Sequence, residues 1–176
     1  IHGSDFFWDL INLGNKLKLK YALIGGVGSV AEKSCEIISN SHKNIGLLGI
    51  TGPNLKSDGR PRTLADAKIE NALVSKINDF KPDMIFVGFG APKQEKWIAR
   101  NLPKLNTKGA MVVGGTFDYI SGKVKNPPKW IKDIEMEWFW RLITRARFKR
   151  ITDAVIVFPV KVFFLRLFNS VGEKTK

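Results

Sequence analysis

Leu23-Ile24-Gly25-Gly26-Val27-Gly28-Ser29-Val30-Ala31 passes from apolar residues suited to a buried strand, through three glycines, into residues suited to a helix. A strand that enters a helix through glycines opens a βα unit, and the same pattern recurs downstream. The expected strands are 21–25, 45–51, 84–90 and 110–114, with helices over 29–41, 63–80 and 92–102. This alternation predicts an α/β fold, a Rossmann-like, mostly parallel sheet flanked by helices.

The glycine turn has two readings. Without Cβ atoms, backbone N–H groups and the positive end of the following helix can approach a phosphate, which makes Gly25, Gly26 and Gly28 candidate binding residues. The same turn also suits close helix–sheet packing alone. Gly26, Gly28 and Ala31 satisfy a G-x-G-x-x-A dinucleotide pattern, yet the second strand ends Gly49-Ile50-Thr51-Gly52. No carboxylate stands there to hold ribose hydroxyls, which weighs against a nicotinamide cofactor.

Around this unit, Thr63 and Asp66 form a capping-box pair for the 63–80 helix, with Ile69, Leu73, Ile77 and Phe80 as its apolar stripe and Pro82 beyond its end. Ser4-Asp5-Phe6-Phe7-Trp8-Asp9-Leu10 reads as a helix start that buries Phe7, Leu10 and Ile11 and calls for a layer to pack on. Residues 52–62, rich in Gly, Pro, Asn, Lys and Asp, are expected to form a mobile loop. After Gly122 the composition turns basic and aromatic. The expected division is a core over 1–134 and a helical appendage over 135–176.

The chain has 176 residues, 44% hydrophobic and 26% charged, which excludes disordered, collagen-like and disulfide-stapled classes. Lys plus Arg number 29 against 16 acids, a formal charge of +13, so an anionic partner is expected. Residues 141–176 alone hold nine Lys or Arg against Asp153 and Glu173. Cys35 is the single cysteine and reads as an ordinary buried thiol in a reducing compartment. The sequence opens on Ile1 with no leader pattern, as expected of a stretch that begins part-way through a longer protein.

Two further strand ends carry polar groups. Phe86-Val87-Gly88-Phe89-Gly90-Ala91-Pro92-Lys93-Gln94 places Lys93 and Gln94 in the first turn of a helix at the carboxyl edge of the sheet, where open α/β sheets bind ligands. Solvated first-turn residues are the plainer reading. In Val112-Val113-Gly114-Gly115-Thr116-Phe117-Asp118, Gly114 and Gly115 would admit a sugar or base, and Asp118 would accept from sugar hydroxyls or act as a base. A loop-capping aspartate is the alternative there.

In Glu137-Trp138-Phe139-Trp140-Arg141-Leu142-Ile143-Thr144-Arg145-Ala146-Arg147-Phe148-Lys149-Arg150, arginines alternate with aromatics, a pattern suited to a diphosphate, nucleic acid or lipid headgroups. The apolar run 154–168 would reach only ~22 Å as a helix, short of a ~30 Å hydrocarbon core. Bracketed by cations, it suits lying in an anionic membrane interface, with a buried core helix as the competing view.

Several of these stretches are carried together in one family. Gly25-Gly26-x-Gly28-x-x-Ala31-Glu32-Lys33, Pro82-Asp83, Gly88-x-Gly90-Ala91-Pro92-Lys93-Gln94-Glu95-Lys96-Trp97-Ile98-Ala99-Arg100, Gly114-Gly115-Thr116-Phe117-Asp118-Tyr119-x-Ser121-Gly122, Pro128-Lys129-Trp130 and Glu137-Trp138-x-x-Arg141-Leu142 resemble the WecG/TagA/CpsF bacterial glycosyltransferases, glycosyltransferase family 26. The resemblance covers nearly the whole chain.

It implies transfer of an N-acetylmannosamine-type sugar from a UDP-sugar to a polyprenyl-diphosphate-linked acceptor in cell-wall or surface polysaccharide synthesis. It implies no metal or other cofactor, no nucleic-acid partner, and a peripheral position on the cytoplasmic membrane face; homo-oligomerisation stays open. It also implies that Gln94 lies in the active site and that Arg141, Arg147 and Arg150 engage a diphosphate; Asp118 joins Gln94 as a supporting candidate from the reading of its own loop. The family's proposed catalytic Asp precedes the equivalent of Ile1, so this stretch is expected to be inactive alone. The segment 144–147 is shorter than the family's Glu-Pro-basic pattern. On an ideal helix Arg141 and Arg150 face opposite sides, so a shared grip on one phosphate needs a bend.

Two other classes remain in view: an NAD(P)-binding oxidoreductase, marked by NAD affinity without UDP affinity, and a basic nucleic-acid-binding module, marked by steeply salt-dependent oligonucleotide binding. For the membrane expectation, deletion of residues 151–176 should release the protein from anionic vesicles in a sedimentation assay. Unchanged binding would contradict it.

Overall fold

The computed structural model describes residues 3–25 and 28–124. Gly26, Arg141, Arg147, Arg150, the run 154–168 and the boundary expected near residue 134 lie outside the described residues.

The described chain alternates helix and strand: α1 Gly3–Leu17, β1 Lys20–Gly25, α2 Val30–Ser41, β2 Gly46–Ile50, α3 Leu64–Phe80, β3 Met84–Gly88, α4 Lys93–Asn101, β4 Gly109–Val112 and α5 Thr116–Ile120. The strands lie in the order β2-β1-β3-β4, and every neighbouring pair is parallel. Parallel neighbours need long crossovers, and here a helix supplies each one. In register, Ile24 stands opposite Ile50 on one side and Val87 on the other, and Val87 stands opposite Val112. The fold is therefore the Rossmann-like α/β sheet expected from the alternation.

Side chains alternate across a strand, so each strand feeds two cores. Tyr21, Leu23 and Phe86 join Phe7 and Ile11 of α1, Val30, Ala31, Cys35 and Ile38 of α2, and Phe117 of α5. Ala22, Ile24, Ile85 and Val87 point the other way, to Leu73 and Ile77 of α3 and Trp97 of α4. Each fully buried Val, Leu, Ile or Phe among them stabilises by about 1.5–3 kcal/mol. The Tyr21 hydroxyl donates to the Leu10 carbonyl at 3.1 Å, which satisfies its polar tip.

Two expectations need correction. Ile69 is 47% exposed and lies off the buried stripe. The inward face of α3 runs instead through Asp66, Glu70, Leu73 and Ile77, one position round the helix. Its polar members have partners: Glu70 accepts from Trp97 Nε1 at 2.8 Å and pairs with Arg100 of α4. Asp66 accepts from Thr63 Oγ1 at 2.7 Å and from the Asn54 N–H at 3.0 Å, and these bonds, the Thr63 bond foremost, hold its carboxyl below the usual range.

Residues 52–62, expected to be mobile, are tied down. Leu55 is buried in the α3/α4 core and bridges Pro61, while Lys56 N donates to the Arg60 carbonyl at 2.8 Å and Arg62 N to the Asn54 carbonyl at 3.0 Å. A loop with polar composition can still be anchored through one apolar residue and its own backbone.

At the amino rim, Asp83 joins three strand starts. Its Oδ2 accepts from Lys20 N at 2.8 Å and its Oδ1 from Lys108 Nζ at 2.7 Å, while its N–H donates to the Lys20 carbonyl at 2.7 Å. The Lys108 bond, then the Lys20 amide, holds this carboxyl below its ordinary value. A depressed carboxylate stabilises above its unfolded pKa of about 3.9 and loses that contribution as pH falls through the lower folded value. Asp83→Asn should therefore cost about 1 kcal/mol in urea unfolding at pH 7. The difference from the parent should shrink as the pH is lowered below about 4; an undiminished difference at acid pH would contradict the role.

Candidate functional site

Because the strands are parallel, their carboxyl ends share one rim. The chain leaves β1 for β2 on one side, then returns past β1 to β3 on the other, so the order reverses between β1 and β3. Crevices at such reversals are where open α/β sheets take ligands.

Glycine backbones make this rim unusually thin. A Cβ at Gly25 would lie 3.0 Å from the Gly88 carbonyl carbon, and one at Gly88 would lie 2.9 Å from the Phe117 ring and 3.1 Å from the Gly114 carbonyl oxygen. The ends of β1 and β3 and the turn after β4 therefore touch backbone to backbone. Side chains there would push the loops apart.

Three turns follow from this ridge. After β1, Gly28 and Ser29 both take left-handed backbone, φ 75° and 59°, and α2 starts at Val30 without a side-chain cap from Ser29. After β3, Gly90 is left-handed at φ 80°, the Ala91–Pro92 peptide is cis, and α4 begins at Lys93. After β4, Gly114 is left-handed at φ 55° and Gly115 precedes α5. Gly25, Gly28, Lys93, Gln94, Gly114, Gly115 and Asp118 thus belong to successive turns of one rim.

Gln94 is 5% exposed, and its amide is engaged locally. Oε1 accepts from the Gly90 N–H at 3.1 Å, and Nε2 donates to Glu95 Oε1 at 3.0 Å. An N–H facing the amide requires its oxygen on that side, so Gly90 fixes the orientation. A primary amide has two N–H donors and two lone pairs, so these bonds use half of its capacity. Lys93 is half-buried beside it.

Asp118 is half-buried in α5; its N–H donates to the Gly115 carbonyl and its carbonyl accepts from Val124 N at 2.9 Å. The neighbouring Thr116 hydroxyl donates to the Val113 carbonyl at 2.7 Å, which closes the turn.

One rim residue was absent from the sequence-based candidates. Glu32, in the first turn of α2, lies across the end of β2, where Oε1 accepts from Thr51 N at 2.7 Å and Oε2 from Thr51 Oγ1 at 3.0 Å. The end of β2 thus has a carboxylate after all, delivered by a helix and not by the strand. Burial, then the Glu32 charge, pushes the buried Cys35 thiol up to about 12, which makes it inert at neutral pH. Among the described residues, no group of three His, Cys, Asp or Glu side chains is placed to hold a metal ion, and no helix is long and apolar enough to cross a membrane.

Residues 1–171 match the model of the Glycosyl transferase WecG/TagA/CpsF family. A Bacillus subtilis (strain 168) protein is 37% identical over 154 residues, 85% of this chain and 54% of its own length. A Staphylococcus aureus (strain MRSA252) protein is 36% identical over 163 residues, 92% of this chain and 59% of its own length. Both are named N-acetylglucosaminyldiphosphoundecaprenol N-acetyl-beta-D-mannosaminyltransferase. The chain thus spans somewhat over half the length of these curated relatives.

Gln94→Ala removes the acceptor that faces the Gly90 N–H. It should cost about 1–2 kcal/mol in chemical unfolding. Full retention of stability would show that the amide does not hold the turn.

Proposed function

Since the chain belongs to the WecG/TagA/CpsF glycosyltransferase family, we propose that it forms the donor-binding part of an enzyme that moves an N-acetylmannosamine-type sugar from a UDP-sugar to a GlcNAc-diphosphoundecaprenol acceptor. The observation that carries this reading is the glycine-lined rim, where Gly25, Gly88 and Gly114 meet at the reversal between β1 and β3. A diphosphate accepts hydrogen bonds from backbone N–H groups and needs close approach, and a rim without side chains offers both.

In the reaction, an acceptor hydroxyl attacks the anomeric carbon as the bond from that carbon to the β-phosphate oxygen breaks. The hydroxyl proton passes to a carboxylate base, an aspartate that the family resemblance places ahead of the equivalent of Ile1. UDP departs with the bonding electron pair. Arg141, Arg147 and Arg150 offset its growing charge, the task a divalent metal performs in other transferases. Gln94, its amide oriented by Gly90, donates to the sugar or phosphate, and Asp118 accepts from a sugar hydroxyl.

The basic segment 141–176 gives the enzyme a peripheral seat on the cytoplasmic membrane face, where a lipid-linked acceptor resides. The carboxylate of Glu32 removes the objection to a nicotinamide dinucleotide that rested on the bare end of β2. Family membership nevertheless favours the sugar nucleotide over an oxidoreductase or a nucleic-acid module.

The test is sugar transfer by the whole protein in EDTA. Turnover should persist there, and Arg141→Ala should cut it roughly a hundredfold, as loss of a donor to a developing anion does. A strict requirement for a divalent cation would contradict the reading.

A further inference from the structure

We infer that Glu32 is the ribose-binding residue of the donor site, an acceptor for the 2′- and 3′-hydroxyls of a uridine diphosphate. This rests on the donor reading above and assigns a residue within it.

Gly49 is the next-to-last residue of β2. A Cβ there would lie 2.6 Å from Glu32 Cα and 2.8 Å from both the Ala31 carbonyl oxygen and Glu32 N. Those contacts are with backbone, which cannot swing aside. Gly49 therefore lets the first turn of α2 rest directly on β2, and only this seating brings the Glu32 carboxylate to the end of the strand.

Once there, the carboxylate is held by two bonds to one residue. Thr51 N–H reaches Oε1 at 2.7 Å and Thr51 Oγ1 reaches Oε2 at 3.0 Å. An ionised carboxylate has about four acceptor positions, so these bonds leave roughly two for a ligand. The side chain is half-buried, so it is also partly open to solvent.

Its place matches the chemistry of a nucleotide. In open α/β sheets that hold a diphosphate at the glycine turn after the first strand, the ribose extends to the end of the adjacent strand, where an acidic side chain accepts from its hydroxyls. Here the adjacent strand is β2, and neither its last residues Gly49 and Ile50 nor Thr51 just beyond them is an acid. Glu32 supplies the acid from the neighbouring helix, and Thr51 fixes the direction in which its oxygens face. A plain α2–β2 staple would use the same two bonds, so binding has to separate the roles.

Calorimetric titration of the full chain with UDP and with 2′,3′-dideoxy-UDP makes the separation. The parent should bind UDP at least about tenfold more tightly, as expected for hydrogen bonds to a charged acceptor. Glu32→Gln should weaken UDP binding by about the same factor while leaving the dideoxy nucleotide nearly unchanged, so the preference collapses. Thr51→Val retains the carboxylate and the backbone bond and should reduce the preference by a smaller factor; it decides the matter if Glu32→Gln does not fold. An undiminished preference in the variants, or equal weakening of both nucleotides, overturns the ribose role and leaves a staple. Failure of the parent to bind either nucleotide overturns the donor reading itself and this assignment with it.

Discussion

Backbone-to-backbone contact at the carboxyl rim is the constraint on which the site depends. Gly25 meets Gly88, and Gly88 meets Gly114 and the Phe117 ring, at distances that leave no room for a Cβ. Parallel pairing brings the strand ends to one edge, and the glycines let their turns converge there. Neither alone is enough: a parallel sheet with side chains at these positions would have separated loops, and glycine turns in an antiparallel sheet would point to opposite edges.

The rest of the fold holds that edge in place from behind. Asp83 ties the amino ends of β1, β3 and β4 together, and Glu70 ties α3 to α4 through Trp97 and Arg100. These bonds lie away from the rim glycines, so several residues of the family-like stretches serve architecture and not binding. Trp97 is fully buried and Gln94 nearly so, within one helix that starts at the carboxyl edge of the sheet. A motif read as chemistry thus divides into residues that shape the turn and residues that seat the helix.

What could be read from sequence was local. Strand and helix periods and glycine punctuation located the four strands and α2, α3 and α4 to within a residue or two, because they depend on neighbours in the chain, whereas the short helix α5 at Thr116–Ile120 was read as a loop. Thr63 and Asp66 were legible as a cap for the same reason, and their bond is formed. Ile69 was misplaced because an apolar stripe gives no credit to Asp66 and Glu70, whose burial is made favourable by Asn54 and Trp97, distant in sequence. The 52–62 loop looked mobile by composition, although Leu55 seats it in a core and its backbone bonds close it. Glu32 stood in a family-like stretch but was given no role, because its position follows from Gly49, seventeen residues later, where a strand glycine marks the close approach.

The central proposal is that three glycine turns, and the carboxylate beside them, form one nucleotide-diphosphate site. Amide hydrogen exchange with and without UDP measures this directly. Protection should concentrate in residues 25–33, 51–52, 88–94 and 113–118, with the amino-rim amides around Lys20, Asp83 and Lys108 unaffected. Protection spread over the amino rim, or confined to a single turn, would contradict the shared site.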